Sequence, residues 1–245
     1  MRPFFSYFGS KWALARGWLP SPAYQTIIEP FAGSAGYSTV HCDPRVNVIL
    51  NDLDPIICEV WRYLVRVSPA ELLALPDFED GQTVDDLAVC PEARLLIGFW
   101  IARCTASPRK TPSAWMRSGK YPRSFWGPRV RETLARQVTR IRHWTVTNKD
   151  YRDIEFNGYA TWLIDPPYQT TGAHYRISSI DYSALRLWMS SRRGQVILCE
   201  NDGANWEKLS RFTSVRTTKK GKYAVEGYHC LMNGYQEEQN EPPTF

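Results

Sequence analysis

Short apolar runs bounded by turn residues recur along the chain, and stretches of helical period separate them. The first run, Thr26-Ile27-Ile28, ends at Glu29-Pro30, where the proline stops a strand. After it come a glycine-containing turn (Phe31-Ala32-Gly33-Ser34-Ala35-Gly36), a helix-compatible stretch, and a second run from Val46 to Leu50 that ends at Asn51-Asp52. This order predicts a parallel βαβ unit. A short helix from about Lys11 to Trp18, closed by Pro20 and Pro22, precedes it. The spacing of Ile56, Ile57, Val60, Trp61, Leu64 and Val65 predicts a helix over Pro55 to Arg66 that packs on a sheet.

Between about Ser68 and Arg142 the pattern changes to helical pieces (Ala70 to Leu75, Glu92 to Arg103, Val130 to Ile141) around a loop, Ala106 to Pro128, rich in Pro, Ser, Lys and Arg. Strand patterns resume at Trp144 to Thr147, Ala160 to Ile164, Gln195 to Cys199, Phe212 to Arg216 and Tyr228 to Met232. Lys219-Lys220-Gly221-Lys222 reads as a hairpin turn between the last two. The expected organisation is an α/β domain of residues 1–67 and 143–236, an inserted and mostly helical subdomain of residues 68–142, and a frayed tail over 237–245.

Composition narrows the class. With 245 residues, 43% apolar and 22% charged, the chain is long enough for one α/β domain plus a small insert, and a packed core is expected. No run approaches the roughly 18 apolar residues of a membrane span, and Arg2 is not followed by the apolar run of a secretory signal, so a cytoplasmic protein is expected. The six cysteines include no C-x-x-C pair and the four histidines stand apart, which points to reduced thiols and to no metal site.

Charge changes the picture more. From Arg103 to Arg142 there are eleven basic residues and one acid, Glu132, so this segment carries +10 while the rest of the chain carries −5. Trp115, Tyr121, Phe125 and Trp126 are interleaved with these charges. Basic residues with aromatic side chains between them suit a nucleic acid, whose phosphates attract the cations and whose bases stack. Arg109, Lys110, Arg117, Lys120, Arg123 and Arg129 are the expected contacts, joined by Lys219 and Lys220 from the last hairpin.

The tetrapeptide Asp165-Pro166-Pro167-Tyr168 follows the apolar strand ending at Ile164. An acid at the carboxyl end of a parallel strand points into the crevice where α/β sheets hold ligands. The two prolines hold the Asp165 carboxylate and the Pro166 carbonyl in set directions, and both accept hydrogen bonds. Such a pair suits an exocyclic amine with two N–H donors, and Tyr168 offers a face for a planar base. The competing reading is a strand-ending turn in which the Asp caps.

Asp-Pro-Pro-Tyr after a strand, Glu29-Pro30-Phe31-Ala32-Gly33-Ser34-Ala35-Gly36, and the N-terminal Phe4-Phe5-Ser6-Tyr7-Phe8-Gly9-Ser10-Lys11 stand in the order found in Dam-like DNA adenine N6-methyltransferases, which the chain resembles from about Pro3 to Tyr235. The resemblance implies a Rossmann-like methyltransferase sheet with helices on both faces, an inserted DNA-recognition subdomain, S-adenosylmethionine as cofactor and DNA as partner. It also implies that a flipped-out adenine meets Asp165, Pro166 and Tyr168. The glycine loop adds its own physics, because Gly33 and Gly36 let the backbone approach a ligand closely. Asp52 at the end of the next strand is placed to accept from ribose hydroxyls.

The resemblance further implies cofactor contacts for Phe31, Ser34 and Asp165, for Tyr7 and Lys11 around the methionine part, and for Asp150 beside the adenine ring. Taken alone, Lys11 reads equally as a surface helix lysine and Asp150 as a helix cap. The N-terminal motif carries Tyr7 and Gly9-Ser10 where the family usually has Trp and paired glycines. Cytosine N4 presents the same kind of amine, and an inactive DNA-binding protein with this fold is the reading from a different class.

Overall fold

Seven strands form one sheet in a computed structural model of the chain, which describes residues 1–79, 81–121, 123–216 and 223–234. They are β1 (Thr26–Glu29), β2 (Asn47–Asn51), β3 (Thr145–Thr147), β4 (Ala160–Ile164), β5 (Gly194–Asn201), β6 (Arg211–Arg216) and β7 (Tyr223–Asn233). Their spatial order is β3-β2-β1-β4-β5-β7-β6, parallel from β3 to β5, with β7 antiparallel to both β5 and β6. This is an α/β Rossmann-like sheet with an antiparallel ribbon on one edge.

The central strands are buried on both faces, so their side chains alternate between two cores. Ile27, Leu163 and Ile197 enter one core, with Phe4, Phe5, Tyr37, Trp61 and Phe99. Ile28, Trp162, Ile164, Val196 and Leu198 enter the other, against Tyr151, Leu185, Trp188 and Met189. The first core is covered by α1 (Trp12–Ala15), α2 (Gly36–Val40), α3 (Pro55–Leu64), α4 (Pro69–Ala74), α5 (Pro91–Trp100) and α7 (Pro128–Gln137); α8 (Tyr182–Ser190) covers the second.

Local chemistry starts several of these helices. Asp54 accepts from Ile56 N and Pro55 opens α3; Ser68 and Glu71 form a reciprocal capping box before α4; Asp181 caps α8 through Ala184 N. Two predicted helices are shorter than their patterns: α1 is a single turn, and α5 stops at Trp100 before Cys104, whose φ is 55°. Inside the basic loop a further turn, α6 (Ala114–Arg117), forms where Ser113 caps it through Met116 N. The sequence reading assigns no element to α8. Leu185, Trp188 and Met189 make its buried stripe, and Leu187, 74% exposed, blurs the period.

The described residues of 68–142 form no core of their own. Leu96, Phe99, Leu134 and Val138 pack in the same cluster as Phe4, Phe5 and Trp61, and Trp100 Nε1 donates to the Phe4 carbonyl at 2.9 Å. Trp126 is buried with them, its indole N–H bonded to the Pro76 carbonyl, and Phe125 is buried as well. Of the four interleaved aromatics, only Trp115 and Tyr121 reach the surface, 65% and 47% exposed, with ring centroids 5.5 Å apart. The hairpin residues Lys219 and Lys220 and the tail 237–245 lie outside the described residues. Among the described residues no helix is long and apolar enough to cross a membrane.

Candidate active site

The chain reverses its direction of sheet growth between β1 and β4, which makes the crevice beyond their carboxyl ends the topological switch point. Register sets the depth of the site. Ile28 pairs with Trp162 and Glu29 with Leu50, so Phe31, Asp52 and Asp165 project beyond the sheet at one level.

The glycine loop after β1 is held from three sides. Gly33 adopts φ 45° and Ala35 φ 45°, both left-handed; the Trp61 indole N–H donates to the Gly33 carbonyl at 2.8 Å; and Ser34 Oγ bonds Ser10 Oγ at 2.8 Å. A Cβ on Gly33 would stand 2.8 Å from the Tyr7 ring. Asp52 accepts from Gly33 N and Asp54 N, both at 2.9 Å, which occupies one lone pair on each carboxylate oxygen and leaves the others for further donors. Glu29, at the end of β1, accepts from Ser38 N at 2.7 Å.

Across the crevice, Asp165 sits against a buried ammonium. Lys11 Nζ lies 2.9 Å from Asp165 Oδ1, 3.7 Å from Glu226 Oε2 and 2.8 Å from the Gly9 carbonyl. It also stands over the Tyr168 ring, 4.9 Å from the centroid, so one face of that ring is taken by a cation. The Tyr168 hydroxyl donates to Glu226 at 3.4 Å. Pro166 is buried, and among the described residues its carbonyl accepts no hydrogen bond. Lys11 is therefore an interior residue, not a surface helix lysine.

A single cavity of about 880 Å³, mouth included, touches Tyr7, Lys11, Phe31, Gly33, Ser34, Gly36, Asp52, Asp150 and Asp165. The structure thus gathers these residues around one space, while Asp150 also caps the turn Tyr151–Asp153 through Arg152 N. The segment after β4 closes over the opening. Tyr175 packs on Tyr7 and Phe8, and Arg176 pairs with Asp54 at 3.4 Å. Gly9, at φ 75°, holds a left-handed turn that favours glycine, and a Cβ there would press on the Tyr175 hydroxyl.

Electrostatically the cavity is acidic, with Glu29, Asp52, Asp54, Asp150 and Asp165 against Lys11, Lys149 and Arg176. Burial pushes the Asp165 carboxyl up to about 6, although the Lys11 ammonium opposes the shift. Burial likewise pushes Asp52 to about 6 against the hydrogen bonds from Gly33 and Asp54, and Glu29 to about 7 against those from Ser38. For Lys11, burial acts downward, but Asp165 and Glu226 outweigh it and hold the ammonium above its ordinary range.

Glu226, Glu29, Asp54 and Tyr175 belong to the site without having been singled out in the sequence. Glu29 stands in the Glu-Pro-Phe motif at the end of an apolar run, which was the available signal. Glu226 lies in β7, ahead of the run Tyr228 to Met232 that the sequence marks as a strand. The basic residues are less concentrated than their spacing suggests. Arg109, Lys110, Arg117, Lys120, Arg123 and Arg129 are all exposed, but Lys110 pairs with Asp85 at 2.7 Å and Arg117 donates to the Pro112 carbonyl. Arg131, also in this segment, is held by Asp77.

Gly36 ties the two halves of the cavity together. A Cβ there would stand 2.4 Å from Trp12 N and 3.0 Å from Lys11 N, where backbone has to move. Gly36→Ala is expected to cost about 1–3 kcal/mol of stability, as overpacking does, and to displace Lys11; thermal unfolding checks the first effect and ligand titration the second.

No protein-family model matches the chain, and no curated protein does. Among solved structures it is similar to the rRNA methyltransferase aviRa from Streptomyces viridochromogenes, at 16% identity over 94% of this chain and 88% of that chain, with a TM-score of 0.41.

Proposed function

We propose that the protein is a DNA methyltransferase that uses S-adenosylmethionine to modify the N6 amine of an adenine turned out of its duplex. The observation that carries this reading is the meeting of the Asp165 carboxylate, at the end of β4, with the glycine loop and Asp52 around one acidic cavity. The cavity suits that cofactor on three counts. Asp52 keeps lone pairs for a ribose diol. Glu29 and Asp165 supply negative charge for an amino acid ammonium and a sulfonium, and Phe31 and Tyr151, packed on one another, line a wall against which a purine would lie.

When bound, the cofactor supplies a methyl group already activated on sulfur, so the protein's own work is positioning and electrostatics. Lys11 holds Asp165 by one oxygen and leaves the other for the amine. The Pro166 carbonyl accepts from the second N–H. Two such bonds draw the nitrogen lone pair out of the ring and towards the methyl carbon. Methyl transfer would form the carbon–nitrogen bond as the carbon–sulfur bond breaks, and Asp165 would hold the proton that the nitrogen sheds on its way to solvent. Extruding the base costs a few kcal/mol, offset in part by the aromatic residues at the mouth. The helical segment of residues 68–142 is the unit proposed to recognise the target.

Nucleoside mass analysis of DNA treated with the protein and the cofactor tests this reading. N6-methyladenine is expected; N4-methylcytosine would reassign the base, and binding of DNA with no cofactor affinity would identify an inactive relative.

The same carboxylate predicts a pH dependence. Below about 6 Asp165 is protonated and offers a donor where the amine needs an acceptor, so turnover should fall about tenfold per unit on the acid side and level off above it. A rate that stays level down to pH values well below the Asp165 carboxyl would contradict the role.

A further inference from the structure

Outside the cleft, Arg2, Arg16, Arg136 and Arg140 converge with Trp12 and Gln137 on an open groove. All four guanidinium side chains are exposed. The groove is built, not incidental. Gln137, buried on α7, accepts from Arg2 N at 3.0 Å and donates to the Arg2 carbonyl at 2.9 Å, which pins the N-terminal arm. The Trp12 indole N–H donates to the Met1 carbonyl at 2.8 Å, and the ring carries Arg2 at 5.6 Å and Arg16 at 4.9 Å from its centroid. Arg140 is steadied by the Cys42 carbonyl at 3.2 Å.

Gathering like charges is unfavourable unless an anion answers them. Among the described residues, Arg2, Arg16 and Arg140 pair with no carboxylate, and Arg136 has only the exposed Glu132 at 3.6 Å. A guanidinium held over an aromatic ring keeps its in-plane N–H donors available, and that fork fits phosphate oxygens. The groove is open and spans the N-terminal arm, α1 and α7, so it suits an anion with charges repeated along its length, not an enclosed metabolite. The groove stands apart from the cleft: Met1 N donates to the Thr39 carbonyl and Arg140 to the Cys42 carbonyl, at the end of α2 away from the glycine loop.

We propose that Arg2, Arg16, Arg136 and Arg140 form a second contact with the sugar-phosphate backbone of the DNA substrate, away from the cleft that takes the turned-out base. The proposal rests on the reading of the substrate as DNA and adds a footprint outside both the cleft and the exposed residues near Trp115. These arginines position the duplex and carry no base information.

The test uses the full chain and a fluorescein-labelled DNA duplex titrated over a range of potassium chloride. Each lost phosphate contact lowers the slope of log affinity against log salt by about 0.9. Arg16→Gln with Arg136→Gln is therefore expected to reduce the slope by nearly two, with the thermal midpoint and the DNA-free cofactor affinity unchanged. Arg16→Lys with Arg136→Lys should restore most of the slope, because a point charge still meets a phosphate. An unchanged slope in the folded glutamine variant would overturn the proposal, as would a slope change confined to a stem-loop RNA. Cofactor affinity and methyl transfer are measured separately, so loss of the groove contact and loss of the methyltransferase reading give different results.

Discussion

Asp165→Asn is expected to lower methyl transfer by about 10²–10⁴-fold, the range for removal of a positioned acid–base group, while affinity for the duplex stays near that of the unaltered protein. The asparagine variant is the informative one. Asp165 partners a buried ammonium, and truncation to alanine would strand Lys11 beside Glu226 and the Gly9 carbonyl. Asn keeps the volume, its carbonyl oxygen can stay with Lys11, and its NH2 group then faces an amine that needs an acceptor. Single-turnover transfer measured beside cofactor and DNA titrations separates chemistry from binding. Turnover near normal in this variant would remove Asp165 from the reaction.

Lys11→Met is expected to destabilise the protein by about 3–5 kcal/mol, the cost of leaving a buried ion without its partner. The ammonium stands between Asp165 and Glu226 and over Tyr168, so its removal leaves two carboxylates facing one another in a buried place. They then disfavour each other's ionisation, and the Asp165 carboxyl moves further up from about 6. The acid limb of the rate profile should shift to higher pH, and activity lost near neutrality should partly return in alkaline buffer. Urea unfolding reports the stability and the rate profile reports the shift. Lys11→Met combined with Asp165→Asn should recover part of the lost stability, since the stranded charge is gone. An unshifted acid limb in a folded Lys11→Met protein would mean that the ion pair has no hold on Asp165.

Much of this site was legible from the chain because its parts are local. A strand, a turn with glycines and a following acid are read within a few residues: Asp52 and Asp165 sit directly beyond an apolar run, and Gly33 lies in the turn after one. The fold class followed from the same pattern: strands buried on both faces read as unbroken apolar runs, and helices between them require parallel pairing. Asp150 caps the turn that follows it, as its place in the sequence suggests, and it also stands on the cavity wall.

The chain by itself determined which residues end the parallel strands, since turn chemistry and apolar period act over short distances. Only the tertiary structure decided what those residues meet. Glu226 reaches Lys11 because β7 runs antiparallel beside β5, a pairing that no spacing encodes. Trp126 and Phe125 left the nucleic-acid reading by turning inward, and Lys110 and Arg131 were claimed by Asp85 and Asp77 from distant turns. Arg16 and Arg136 came to line one groove beside Trp12 in the same way. Burial and charge pairing depend on which surfaces face each other once the chain has closed, and that follows from the packing of the whole sheet.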